Sequence, residues 1–142
     1  MLAHAATREG IVAVHNMFGK KDRIRYHAVP AVIYTHPEVA SVGRTEEDLK
    51  AEGVEYRKSV VPMAVAGRFL IENEGGTGLV KVLTGVRYGE ILGVHAIGDG
   101  SSEFIVAAAA MIETGLTADR AGEIVFPHPT VSEALREAIV NA

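Results

Sequence analysis

Six histidines and no cysteine define the titratable chemistry open to this 142-residue chain near neutral pH. One histidine stands apart, in Pro127-His128-Pro129-Thr130-Val131-Ser132-Glu133. Each proline fixes its own φ and biases the preceding residue toward extended geometry, so the imidazole sits on stiff backbone. Glu133, five residues on, is a carboxylate of the kind that holds one imidazole tautomer and leaves the other ring nitrogen to exchange a proton. Two influences on His128 oppose each other: a helix N-terminus disfavours the imidazolium, and a carboxylate favours it. A purely structural reading of Glu133 stands beside this one. Three residues after Thr130, it completes a capping box, which alone would account for it. Arg136, three residues further on, is placed to compete for the same carboxylate.

Other chemistry finds less support. His4, His15, His27, His36 and His95 form no close ligand pair on one expected face, and there is no H-E-x-x-H, so no metal is expected. Gly98-Asp99-Gly100 lies between a strand and a helix, but it lacks a third glycine and Glu103 would repel a phosphate; a plain turn is expected. Gly75-Gly76-Thr77-Gly78 reads as a hairpin turn, and Arg68 and Arg87 as solvated. No G-x-S-x-G elbow exists. The lack of cysteine excludes disulfides, thiolate metal sites and a redox-active thiol within these residues.

The elements that must carry His128 follow from periodicity. Val131, Ala134, Leu135, Ala138 and Ile139 recur at i, i+3, i+4, i+7, i+8, the stripe of a helix capped by Thr130. Upstream, residues 29–35 and 39–42 read as strands. Thr45 caps a short acidic-start helix ending at Gly53. Residues 55–61 read as a strand, 68–71 and 79–83 as a paired hairpin, and 90–97 as its continuation. Ser101 opens a helix whose Phe104, Ala108, Met111 and Ile112 share one face, and 117–121 form a short helix. Strands followed by helices imply an α+β fold: an antiparallel meander over 29–97 with one helix inserted, and helices on one face. Residues 2–17 read as a weak helix interrupted by Gly10 and joined through a polar link, with a domain boundary near residue 24. Cut from its own domain, this helix is expected to fray or to pack on a neighbouring chain.

Composition fits this picture: 48% apolar, 23% charged and a formal charge of −4 describe a globular domain without a basic patch for nucleic acid or anionic membranes. No apolar run reaches bilayer length, and no signal peptide is visible. A reducing compartment is expected, the cytoplasm or, in a eukaryote, the mitochondrial matrix.

His128-Pro129-Thr130-Val131-Ser132-Glu133-Ala134 resembles the H-P-T-x-S-E-A signature of the flavin-dependent pyridine nucleotide-disulfide oxidoreductases. Residues 32–43, Val-Ile-Tyr-Thr-His-Pro-Glu-Val-Ala-Ser-Val-Gly, are similar to that family's hPE(V/I)A-x-V-G strand. Gly93-Val94-His95-Ala96-Ile97-Gly98 is similar to its LG-x-H-x-x-G segment. These lie in family order across nearly all of 29–140, nearest the dihydrolipoyl-oxidising branch. The resemblance implies a C-terminal dimerisation domain, residues 24–142, in which the histidine of one subunit serves the other subunit's flavin-proximal disulfide. His128 would take a proton from the dithiol substrate, oriented by Glu133. It implies FAD and NAD as cofactors of the whole enzyme, with neither bound to this segment alone. It also implies a homodimer and lipoyl-bearing acyltransferase subunits as partners.

Met1-Leu2-Ala3-His4-Ala5 is similar to the M-L-A-H-K-A helix start that closes the family's flavin domain. By that likeness Met1, Leu2, Ala3 and His4 would meet the flavin's pyrimidine edge through backbone amides, and residues 1–23 would be the end of the flavin domain. Alanine stands at position 5, where lysine is common. The family's G-x-G-x-x-G, nicotinamide domain and C-x-x-x-x-C are absent from these 142 residues. The segment is therefore expected to be about the last third of an enzyme and inactive by itself. Alternatives are a mercuric-, glutathione- or trypanothione-type member, differing in substrate, and a non-catalytic homodimerisation module. Mercuric members usually lack the His-Pro and carry a C-terminal cysteine pair, and neither condition holds here.

Overall fold

Alternating small and β-branched residues build the framework. In the computed structural model, which describes residues 2–142, the strands β1 (Ala31–Ile33), β2 (Val39–Gly43), β3 (Tyr56–Pro62), β4 (Leu79–Gly85) and β5 (Ile91–Ile97) form one antiparallel sheet. Their order is β1-β2-β5-β4-β3. The expected continuous meander is thus two pieces. β3, β4 and β5 follow one another, while β2 docks on the free edge of β5 with Ala40 opposite Ala96 and Val42 opposite Val94. Those registers place Ala40, Val42, Val80, Val82, Val94 and Ala96 on one face, all buried. β1 is shorter than the sequence suggests, ending before Tyr34 and Thr35.

Two helices cover that face. α4 (Ser101–Glu113) lies over β2 and β5, and α6 (Glu133–Val140) over β3 and β4. Phe104, Ile105, Ala108, Met111 and Ile112 of α4 and Ala134, Leu135, Ala138 and Ile139 of α6 are buried, the stripes that the spacing of apolar residues predicts. α5 (Ala118–Gly122), capped by Thr117, packs on α6 and joins the two layers. α2 (Glu46–Glu52) lies against the other sheet face, where Glu46 binds Lys58 at 3.1 Å and Lys81 at 3.0 Å and Leu49 and Leu83 are fully buried. Its expected start and stop both hold. Thr45 and Asp48 form a capping box, and Gly53 closes the helix at φ 69°.

Residues 68–71 are not a strand. They belong to α3 (Gly67–Glu72), and β4 pairs with β3 instead. Phe69 is buried, and with Met63 it fills the space beside Gly98, where an added Cβ would lie 3.0 Å from Met63 and 3.5 Å from Phe69. The three-residue apolar run Phe69-Leu70-Ile71 has no periodicity to tell helix from strand, so burial of one aromatic decides it.

α1 (Ala3–Met17) runs through Gly10 without the expected interruption and buries none of its residues. Among the described residues no helix is long and apolar enough to cross a membrane.

Candidate functional site

His128 and Glu133 meet as their spacing suggests. Glu133 Oε1 accepts a hydrogen bond from His128 Nδ1 at 2.8 Å, and Oε2 accepts from the Thr130 backbone N–H at 2.9 Å. The His128–Pro129 peptide is cis. The imidazole is 79% exposed, its carboxylate partner 24%. With Nδ1 engaged, Nε2 faces outward free of any hydrogen bond from the described residues, as an acid or base must if its substrate arrives from outside.

The expected capping box is half formed. Glu133 reaches back to the Thr130 N–H, but the Thr130 hydroxyl binds Pro127 O at 2.7 Å and Ser132 Oγ at 2.8 Å rather than the Glu133 amide. Regular helix therefore begins at Glu133, two residues later than a Thr130 cap and a Val131 start would place it. The reason is local: the hydroxyl that would cap the helix is used to close the Pro127–Thr130 turn. Arg136 pairs with Glu137 at 3.2 Å and does not take Glu133. The Thr130 N–H first, and His128 second, hold the Glu133 carboxyl below the usual carboxylate range. Glu133 is thus ionised at neutral pH and fixed at both oxygens.

Among the described residues the same constellation recurs once, where sequence reading missed it. His36 Nδ1 lies 2.6 Å from Asp99 Oδ2, Asp99 Oδ1 accepts from the Glu38 N–H at 3.2 Å, and the His36–Pro37 peptide is also cis. In both places a carboxylate holds the imidazole with one oxygen and the N–H two residues past the histidine with the other. The 63-residue separation hid the second pair, and only the shared His-Pro could have hinted at it. Glu38 in turn accepts from the Ser102 N–H at 3.0 Å, supplying the α4 cap in place of the expected serine; the Ser101 hydroxyl donates to Gly98 O. Gly100, beside Asp99, packs against Val131, so both His-Pro loops converge on the same end of the helical layer.

The other expected site residues lie apart from His128. Leu2 is the N-cap of α1, Ala3 and His4 open the helix, and Met1 lies outside the described residues. This helix start has no side-chain cap and no acidic residue in its first turn. Its leading N–H groups and positive dipole end are therefore open to an electron-rich ligand edge. The donor set suits the pyrimidine edge of a flavin. His95 sits on β5 across from Lys81, with Nδ1 buried and unpaired; burial first, and Lys81 second, push its pKa down.

The sheet thus carries two helices on one face, and a carboxylate-held histidine stands before the last of them. Residues 29–139 match the family model described as pyridine nucleotide-disulphide oxidoreductase, dimerisation domain, and the chain belongs to that family. Over all 142 residues it is 46% identical to the mitochondrial dihydrolipoyl dehydrogenase of Sus scrofa and 44% to that of Homo sapiens. The chain spans 28% of the length of these relatives. Among solved structures, LpdA of Mycobacterium tuberculosis superposes with a TM-score of 0.87 at 26% identity, covering 98% of this chain and 30% of that one. The flavoprotein disulfide reductase RclA of Escherichia coli, as its Cu(II) complex, shares the fold at a TM-score of 0.88 and 22% identity, over 99% of this chain and 32% of its own.

Proposed function

We propose that the chain is the dimerisation domain of a dihydrolipoyl dehydrogenase and that it carries the acid/base pair of the partner subunit's active site. The observation that carries this reading is the 2.8 Å bond from His128 Nδ1 to an ionised, doubly held Glu133, with Nε2 turned outward. Nε2 accepts the proton of a substrate thiol as the thiolate forms; the imidazolium is stabilised by Glu133 and later returns the proton to solvent. Since the chain has no cysteine, the disulfide that receives the thiolate lies in other residues of the enzyme. Leu2, Ala3 and His4 would hold the pyrimidine edge of FAD through backbone N–H groups, and residues 1–23 belong with the flavin domain. When bound, the flavin supplies two-electron transfer between the dithiol and NAD. The substrate class is the dihydrolipoyl group of acyltransferase subunits, and the 142 residues alone do not turn over.

A homodimer completes the site in this reading. Next to His128, a groove of about 570 Å³ between α4 and residues 124–127 is lined by Phe104, Met111, Leu116, Ile124 and Phe126, and Val125 stands 92% exposed at its rim. An apolar surface continuous with an outward-facing acid/base is suited to a second copy of the same chain.

The test is dihydrolipoamide-dependent NAD reduction by the full-length enzyme. His128→Gln is expected to lower kcat by about 10²–10⁴-fold, the usual worth of a positioned acid/base. An unchanged rate would remove His128 from the mechanism.

A further inference from the structure

α1 is tied to the chain that follows it almost wholly by polar contacts. Asp22 accepts from Arg8 at 3.1 and 2.9 Å and from His15 at 2.7 Å, while its backbone exchanges hydrogen bonds with the Asn16 side-chain amide. At mid-helix the Tyr26 hydroxyl donates to Glu9 at 2.9 Å. Among the described residues the first turn has one tie: His4 Nε2–H donates to the Pro30 carbonyl at 2.7 Å, across 26 residues of sequence. Behind that turn lies a cleft of about 950 Å³ bounded by His4, Ala5, Pro30, Val106 and Ala109, so packing does little to fix it.

We propose that His4 is a positioning residue. Its side chain clamps the first turn of α1 to the residue that leads into β1, and so sets where the backbone N–H groups of residues 2–4 point. The helix start has neither a side-chain cap nor an acidic residue, so these N–H groups are not consumed by the chain's own side chains. The clamp is made at a carbonyl next to the sheet, which ties the uncapped helix end to the same rigid layer that carries β2 and the His36 loop. Position 4 therefore acts through its side chain on the sheet side and through its backbone on the ligand side. The second half of this inference rests on the reading of residues 2–4 as flavin-facing. The first half does not.

Two measurements separate the halves. In the 142-residue chain, amide exchange of Ala6, Thr7 and Arg8 is expected to quicken up to about tenfold in His4→Ala, the range one hydrogen bond supports. Val82 and Val94 should be unchanged. His4→Gln, which keeps an N–H donor at the end of its side chain, should restore much of the protection. Exchange at residues 6–8 that is the same in His4→Ala as in the parent overturns the clamp. In the flavin-loaded full-length enzyme, His4→Ala is expected to shift the flavin absorption bands and midpoint potential, with His4→Gln lying between it and the parent. Exchange that responds while the flavin spectrum and potential do not leaves the clamp standing and overturns the flavin-facing reading.

Discussion

Glu133 serves two masters with one carboxylate, and its titration reports on both. Its pKa is lowered in the folded chain, so its contribution to stability is full above the ordinary glutamate value of 4.5 and is lost as pH falls through the depressed folded value. Glu133→Gln should therefore be less stable than the parent at pH 7, with the gap closing below about pH 4.5. Urea unfolding at a series of pH values checks this, and a gap that persists at pH 2 would place the effect elsewhere. The candidate pair was legible in sequence because both partners lie within seven residues. What sequence left open, a cap or a partner for the imidazole, the structure answers with both contacts at once: one oxygen on the Thr130 N–H, the other on the imidazole.

Among the elements, α2 is the most sequence-determined and α3 the least. The Thr45–Asp48 box and the left-handed Gly53 are local devices that need nothing distant. Thr45→Ala should cost about 1 kcal/mol in thermal or urea unfolding. Glycines of similar φ then divide by what surrounds them. Gly53 has open space around its missing Cβ, so Gly53→Ala should cost only the left-handed penalty of about 1–2 kcal/mol. At Gly43, φ +81°, a Cβ would drive into the Leu92 carbonyl oxygen and lie 2.9 Å from Ile112, so Gly43→Ala should be clearly worse than Gly53→Ala. Equal losses at the two would show that the β2–β5 edge yields freely. α3 failed to announce itself because its helicity depends on Phe69 finding a buried place beside Gly98, which comes from a distant part of the chain.

For the whole molecule, the exposed apolar rim beside His128 is the surface proposed for the contact between subunits. Val125→Asp should shift sedimentation equilibrium of the domain toward monomer, and no shift would move the dimer contact to another face. The acid limb of stability belongs to this scale as well. Glu46 joins α2 to β3 and β4, with its pKa lowered to about 2 by Lys81 first, then Lys58 and Tyr56. Its contribution is complete above 4.5 and is lost as pH falls toward about 2, so Glu46→Gln should flatten the acid-unfolding profile in that window. Sequence by itself determined the helix stripes, the cap and stop of α2, the strand-rich middle and the pairing of His128 with Glu133. Each is written in residues close together along the chain, where backbone geometry converts spacing directly into proximity. Tertiary structure alone decided that β2 docks on β5 rather than extending a meander, that residues 67–72 form a helix, and that His36 meets Asp99. It also decided that His4 closes on Pro30. These contacts join segments 26 to 63 residues apart, where local backbone geometry cannot fix which distant segment comes alongside.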